Sequence, residues 1–162
     1  MKTIDNFLEP NDLVDIKDIV TDPTFPWSLN HGVSYADDGH IQFTHTIYRD
    51  NEFPSTWKLG GLDIFIEKLK ITSLVRAKFN LLPKTTEIVE HEAHIDIPSP
   101  PKGLKTAILY LNTNNGYTKF DSGEKVLSEE NKMIIFDADV KHFGTTNSCD
   151  APYRLVFNLN YF

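Results

Sequence analysis

Cysteine and clustered basic residues are both scarce in this chain of 162 residues. Cys149 is the only cysteine, which excludes an intrachain disulfide and a zinc site built from several cysteines. Lys and Arg total 16 against 23 Asp and Glu, which gives a formal net charge of −7. Because nucleic-acid surfaces usually carry clustered Lys and Arg, this balance argues against a nucleic-acid partner.

Long apolar runs are missing as well. No stretch approaches the roughly 18 apolar residues of a membrane-spanning helix. The opening MKTIDNFLEP also lacks the basic start and apolar run of a signal peptide. We therefore expect a single domain, residues 1–162, that lies in the cytoplasm and has no membrane partner.

The residue pattern changes near residue 72, from mixed helix and strand signals to closely spaced β-rich segments. Before it, EPNDLVDIKDIV and GGLDIFIEKLKI carry apolar residues at helical spacing, and GHIQFTHTIYRD is rich in strand formers. After it, eight β-rich segments alternate with turn residues: LVRAKFNLL, EIVEHEAHI, KTAILYLN, GYTKF, EKVL, KMIIFD, KHFGTT and YRLVFNLNYF. Closely spaced strands predict a sandwich, jelly roll or barrel. We therefore predict a mainly β fold with flanking helices, in which residues 1–71 support a core of residues 72–162.

Candidate metal ligands stand out in HEAHIDIP. His94 and Asp96 are two positions apart, so on an extended chain their side chains point to the same side. A metal ion needs a further ligand, and His142 is the only histidine after Asp96. Two imidazoles and one carboxylate are the ligand set of non-haem Fe(II) oxygenases. The alternatives are solvated side chains at strand ends, or a zinc hydrolase, for which HEAH is one residue short of the H-E-x-x-H motif.

A candidate anion-binding residue opens the last β-rich segment. Arg154 precedes a mostly apolar run, and an inward-facing guanidinium there needs an anion, because a buried unpaired charge is costly. The guanidinium fork matches a carboxylate. The dicarboxylate 2-oxoglutarate would offer one end to the metal and the other to Arg154. The alternative is an outward-facing Arg154, or one that is paired with an aspartate.

Together these segments resemble the 2-oxoglutarate- and Fe(II)-dependent dioxygenases, specifically their prolyl-4-hydroxylase-like branch and its small stand-alone bacterial and phage members. The resemblance covers about residues 74–162, in HID, TAILYLN, GYTKF, GEKV, NKMIIFDADVKHFGTT and YRLVFNLNY. It implies a double-stranded β-helix, the jelly roll also found in cupins. It implies that His94, Asp96 and His142 bind Fe(II), and that Arg154 binds the far carboxylate of 2-oxoglutarate.

The resemblance also lends roles to other residues. The Tyr110 hydroxyl would touch the far carboxylate of 2-oxoglutarate, the alternative being a core tyrosine, and Thr106 is a weaker candidate on the same strand face. Should Arg154 not be the anchor, Lys105 or another cation would take its place. Substrate contacts are left open among five residues: His91, Asn80, Tyr48, Trp27 and Trp57.

The implied activity is hydroxylation of a C–H bond, coupled to decarboxylation of 2-oxoglutarate to succinate and CO2. Fe(II), 2-oxoglutarate and O2 are the implied cofactors, with ascorbate as an additional reductant. The substrate is a peptide, protein or small molecule, and a peptidyl proline is the first candidate; a phage member would act in the host cytoplasm. Collagen-type relatives use Lys as the anchor, whereas this chain has Arg154. The alternative is a non-catalytic jelly-roll binding or structural module.

Overall fold

The fold is mainly β, as predicted. The computed structural model describes residues 1–55 and 61–162. These residues form two helices and ten strands: β1 Lys2–Ile4, α1 Pro10–Thr21, β2 Ser28–His31, β3 Ile41–Arg49, α2 Leu62–Leu69, β4 Leu74–Pro83, β5 Lys105–Tyr110, β6 Tyr117–Phe120, β7 Lys125–Leu127, β8 Met133–Asp137, β9 His142–Gly144 and β10 Tyr153–Tyr161. The strands make a seven-stranded sheet, β1-β8-β5-β10-β4-β3-β2, and a three-stranded sheet, β7-β6-β9.

The two central strands of the large sheet carry different side chains on their two faces. Arg154 of β10 lies opposite Leu82 of β4, and Asn158 lies opposite Lys78, in an antiparallel register. Because side chains alternate along a strand, these residues share the face that looks toward the small sheet. The residues between them, such as Phe157 and its partner Phe79, are fully buried on the other face.

Both helices cover that apolar face. The helix α1 begins with Pro10, which a first helical turn tolerates, and buries Leu13, Ile16 and Val20. The helix α2 buries Phe65, whose ring lies 4.9 Å from that of Phe157. No helix of the described residues is both long and apolar enough to cross a membrane.

A second core lies between the sheets. It joins six residues, which are Ile108, Tyr110, Phe120, Ile134, Phe136 and Val156. These residues come from β5, β8 and β10 of the large sheet and from β6 of the small one. The small sheet therefore closes over one end of the polar face of the large sheet.

The structure differs from the prediction in two places. The segment EIVEHEAHI forms no strand, and only two isolated bridges, Glu90 with Thr145 and His94 with His142, tie it to the small-sheet side. A segment that touches its neighbour at separate points lacks the continuous ladder that defines a strand. In addition, the strands β1 and β2 were not predicted; they join the large sheet because β1 pairs with β8 and β2 pairs with the predicted strand β3.

Candidate metal centre

The His94, Asp96 and His142 side chains meet at one point. Their candidate ligand atoms all lie within 4.8 Å of one another. Backbone pairing holds the two histidines together: the His94 amide donates to the His142 carbonyl at 3.0 Å, and the reverse bond measures 3.1 Å. The lone distal histidine, 46 positions after Asp96, is thus brought beside the HID motif by β9.

Both imidazoles present one ring nitrogen toward the cluster and the other toward the backbone. The Nδ1 atom of His94 lies 3.2 Å from the Glu92 carbonyl, and that of His142 lies 3.3 Å from the Val140 carbonyl. A proton on Nδ1 is donated to the carbonyl, which leaves Nε2 as a lone-pair donor. Burial lowers the pKa of His142, although Asp96 opposes this effect, so the neutral ligand form is favoured.

The Asp96 carboxylate is held by groups from β4 and β10. Arg76 forms an ion pair with it, with Nη2 2.7 Å from Oδ1, and both side chains are largely buried. Asn160 accepts a hydrogen bond from Arg76 Nε at 2.9 Å and reaches Asp96 Oδ2 with its own Nδ2 at 3.4 Å. Burial alone would raise the pKa of Asp96, but Arg76 and the two imidazoles hold it well below its usual range. The carboxylate is therefore ionised and oriented.

This donor set fits a divalent cation that accepts nitrogen and oxygen ligands. Two neutral imidazoles and one ionised carboxylate are the facial ligand set of non-haem Fe(II), and three protein ligands leave coordination positions open. A closed structural zinc site would use four protein ligands. The described residues near the cluster supply three.

The Arg154 guanidinium is buried, as an anion-binding role requires, and is only 3% exposed. Its Nε donates to Ser128 Oγ at 2.7 Å and its Nη2 donates to Thr118 Oγ1 at 3.0 Å. None of the carboxylates in residues 1–55 and 61–162 forms an ion pair with it. Burial lowers the pKa of Arg154, yet an arginine stays charged at neutral pH, so the fold holds an uncompensated positive charge there.

Room for Arg154 comes from Gly116 in the GYTKF segment. A Cβ atom at Gly116 would lie 2.8 Å from Arg154 Cδ and 2.7 Å from the Thr146 carbonyl oxygen. Those distances are too short for any other residue type. The glycine that the sequence places before the hydrophobic strand β6 therefore allows the close approach of the arginine stem.

One cavity of about 210 Å³ joins the triad to Arg154. Thr118 and Gly144 of the small sheet line it, as do Asn80 and Asn158 of the large sheet. A molecule in this cavity can therefore contact the candidate ligands at one end and the guanidinium at the other. The candidate metal ligands and Arg154, which the sequence predicted to bind the two ends of one molecule, therefore line the same cavity.

Other predicted cofactor contacts have neighbours within the protein. The Tyr110 hydroxyl donates to Thr118 Oγ1 at 2.8 Å, and its ring centroid lies 5.4 Å from the Arg154 guanidinium carbon. Thr106 accepts a hydrogen bond from Asn160 Nδ2 at 3.0 Å, which places it at the Asp96 end and away from Arg154. Lys105 pairs with Asp137 on the outside and does not line this cavity.

The predicted substrate contacts are dispersed. Asn80 lines the cavity, whereas His91 is buried against His40 with a ring separation of 4.8 Å. Trp27 and Tyr48 pack against the core on the helix side. Trp57 lies outside the described residues.

Several polar residues of this cavity were not predicted from the sequence. Arg76 and Lys78 of β4, and Asn158 of β10, line it, while Asn160 holds Asp96 in place. Their signal was the alternation of polar and apolar residues in VRAKFNLL and RLVFNLNYF. Polar residues at every second position of a strand that is otherwise buried indicate a polar interior face.

Comparisons with known proteins support the fold. No protein-family model matches the sequence, and no curated protein matches it significantly. Among solved structures, a 2OG-Fe(II) oxygenase family oxidoreductase from Burkholderia pseudomallei matches with a TM-score of 0.72 at 14% identity, over 98% of this chain and 84% of that one. A prolyl hydroxylase from Trichoplax adhaerens, in complex with a hypoxia inducible factor peptide fragment, matches with a TM-score of 0.69 at 15% identity, over 99% and 82%.

A third solved structure is also similar to this chain. The Pseudomonas putida prolyl-4-hydroxylase matches with a TM-score of 0.66 at 15% identity, over 99% of this chain and 91% of that one. The chain thus has the jelly-roll fold of the 2-oxoglutarate- and Fe(II)-dependent oxygenases. The predicted resemblance to that superfamily, prolyl hydroxylases among them, is confirmed at the level of the fold.

Proposed function

We propose that this chain is an Fe(II)- and 2-oxoglutarate-dependent dioxygenase that hydroxylates a C–H bond of its substrate. One observation carries the proposal. A single cavity is lined by the His94-Asp96-His142 cluster and by the buried guanidinium of Arg154, which forms no ion pair with a described carboxylate. A binding or structural module has no need for this pairing, because a buried charge without a counter-charge costs free energy. The similarity of fold to oxygenases supports the same reading.

The proposed roles follow from the geometry. His94 and His142 would hold Fe(II) through Nε2, with an oxygen of Asp96 as the third ligand. Arg154 would bind the far carboxylate of 2-oxoglutarate with the guanidinium edge that faces the cavity. Thr118, fixed by the Tyr110 hydroxyl, holds that guanidinium in place. Bound Fe(II) would supply the activation of O2, with 2-oxoglutarate as the two-electron donor that leaves as succinate and CO2.

The substrate is a separate proposal. Two of the similar structures are prolyl hydroxylases, and one of these holds a peptide fragment. We therefore infer that a peptidyl proline is the first substrate to test. Stimulation by ascorbate and a cytoplasmic location stay predictions.

Formation of succinate tests the activity. Purified protein is given 2-oxoglutarate and Fe(II) in air, and succinate is measured by mass spectrometry, with a metal-chelated sample as the blank. We expect Fe(II)-dependent succinate from the wild type, slow in the absence of substrate, and none above the blank from His142→Ala. The matched control is Lys102→Met, which alters an exposed lysine outside the cavity.

Metal content is measured on the same proteins. The wild type and Lys102→Met should bind one Fe(II) per chain under nitrogen, and His142→Ala should bind it far more weakly, because one of three ligands is gone. Equal Fe(II) binding by His142→Ala would show that the triad is misassigned. A wild type that binds Fe(II) but never converts 2-oxoglutarate would favour the binding module.

A further inference from the structure

A second cavity opens beside the candidate metal centre. It has a volume of about 340 Å³, and Arg49, Arg76 and Lys78 line it together with the loop after β2. Arg76 and Lys78 also line the cavity of the metal centre, so the two cavities share a wall. None of the described Asp or Glu residues lines the second cavity, although the chain as a whole carries a net charge of −7.

Two of these three cations already have a counter-charge. Arg76 is paired with Asp96, and Arg49 is paired with the neighbouring Asp50 at 3.1 Å. The Lys78 ammonium forms no hydrogen bond or ion pair with any residue in 1–55 or 61–162. Burial, followed by the charge of Arg76, lowers the pKa of Lys78 to about 8. The negative charge of Asp96 opposes this shift but lies beyond ion-pair distance, so none of the described residues pairs directly with the Lys78 ammonium.

The sheet register directs Lys78 into this space. It lies opposite Asn158 of β10 and opposite Thr46 of β3, so all three side chains share the polar face of the large sheet. Two amide oxygens on the same face, Asn80 Oδ1 and Asn158 Oδ1, are buried and accept no hydrogen bond from the described residues. Since buried polar atoms are normally satisfied, these oxygens indicate a ligand that donates hydrogen bonds.

The chemistry of the ligand follows from these three groups. A free ammonium requires an anion, and two free amide oxygens require N–H or O–H donors. A single ammonium matches the single charge of a carboxylate better than the double charge of a phosphate ester, which proteins usually bind with several donors. A carboxylate beside an N–H group, as at the end of an acylated amino acid or a peptide, satisfies all three.

We propose that the substrate of this chain carries a carboxylate that binds Lys78, next to the candidate metal centre, with an adjacent N–H that donates to Asn80 or Asn158. This inference rests on the proposed function and names the substrate class for that site. Arg49, which also lines the second cavity, adds positive potential near Lys78. The carboxylate would hold the substrate so that a nearby C–H bond faces the triad.

Binding without turnover gives the test. Protein is loaded with Zn(II), which does not support the oxidation, and with saturating 2-oxoglutarate, which fills the Arg154 end of the cavity. Probes are N-acetylated amino acids that keep an amide N–H, N-acetylalanine included, each paired with its own C-terminal amide, and N-acetyl-O-phosphoserine amide, which carries a phosphate and no carboxylate. Dissociation constants are measured by ligand-detected nuclear magnetic resonance titration.

The variants compare charge at one position. In the wild type, at least one acid should bind about tenfold or more tightly than its amide, because a charge-assisted hydrogen bond is lost in the amide. This preference should disappear in Lys78→Met, persist in part in Lys78→Arg, and remain intact in Lys102→Met. Lys78→Arg keeps the charge, so it answers the question even if the methionine variant folds poorly.

Several outcomes would overturn the inference. It is wrong if no acid binds better than its amide, if Lys78→Met keeps the preference, or if N-acetyl-O-phosphoserine amide binds more tightly than every carboxylate probe. It is also wrong if Lys78→Met weakens 2-oxoglutarate and leaves the acid probes unchanged. The succinate assay with Fe(II) and 2-oxoglutarate alone stays separate: wild-type succinate without an acid preference overturns only the inference, and absence of succinate overturns the proposed function.

Discussion

Replacement of Arg154 by methionine removes a charge that the fold buries without an acidic partner. The guanidinium is 3% exposed and has two hydroxyl partners, Ser128 and Thr118. Methionine keeps most of the length of the stem and leaves both hydroxyls free to bond elsewhere. The variant therefore separates the proposed contribution of Arg154 to ligand binding from its contribution to the stability of the fold.

The expected sizes of the two effects differ. Charge-assisted hydrogen bonds to a carboxylate contribute about 1.5–3 kcal/mol, so 2-oxoglutarate should bind about tenfold to a hundredfold more weakly to Arg154→Met. Arg154→Lys keeps the charge but loses the forked guanidinium, so its affinity for 2-oxoglutarate should lie between those of the wild type and Arg154→Met. The ligand-free protein should unfold with a free energy within about 1 kcal/mol of the wild type, because exchanging a buried charge for an apolar side chain is often neutral.

A truncated ligand makes the test specific. Pyruvate keeps the keto acid end of 2-oxoglutarate and lacks the second carboxylate. With Zn(II) bound, calorimetric titrations of both ligands into the wild type and Arg154→Met form a cycle that isolates the contact between the guanidinium and that carboxylate. Pyruvate should bind both proteins equally. Equal losses for the two ligands, or no loss for 2-oxoglutarate, would remove Arg154 from the proposed role.

Two further predictions concern neighbours of the site. Arg76→Met should weaken Zn(II) binding about tenfold to a hundredfold, because Asp96 loses the partner that holds it ionised and oriented; competition with a chromogenic chelator measures this, and unchanged affinity would contradict it. Burial lowers the pKa of His91 to about 4 from an ordinary 6.5. Between pH 6.5 and about pH 4, His91 is therefore protonated in the unfolded chain and neutral in the native chain. Stability should therefore fall as the pH falls through this window, by at most about 1.4 kcal/mol per pH unit from this group. The free energy of unfolding of metal-free His91→Phe, measured with urea at several pH values, should depend less steeply on pH than that of the wild type. Equal dependence on pH would exclude His91 as the origin. The charged groups that act on His91 are His40, Asp38, Arg154 and His94.

The sequence was informative about the site where residue types were rare. Only one histidine follows Asp96, so the third candidate ligand could be named without knowledge of the fold, and β9 brings it to the other two. Arg154 was a candidate because a charge at the start of an apolar strand is unusual, and the structure shows that it is buried. Rare residues in unusual surroundings can be recognised from local sequence.

Groups whose role depends on distant partners were not recognised. The partner of Arg76 is Asp96, and the space around Lys78 is formed by β3 and β10. A strand with arginine and lysine at alternate positions is also typical of a solvent-exposed face, so sequence alone does not separate the two readings. Tertiary pairing decides which face the charges occupy.

The same limit explains the errors in the strand assignment. The strands β1 and β2 span only three and four residues, and most of their side chains are exposed, so they carry little apolar pattern. Their strand conformation depends on pairing with β8 and β3. The segment EIVEHEAHI has the composition of a strand, but its backbone meets its neighbours only at separate bridges.

The alternation along β4 and β10 has a consequence for how such a protein can diversify. Phe79 and Phe157 secure the sheet to the helices, while Lys78 and Asn158, one position away in each strand, face the cavity. Because adjacent residues of a strand point to opposite sides, a mutation at one position leaves the packing of the next largely undisturbed. Ligand contacts and core packing thus use two alternating sets of strand positions. A new ligand preference can arise by substitution of the cavity-facing residues while the residues of the hydrophobic core stay unchanged.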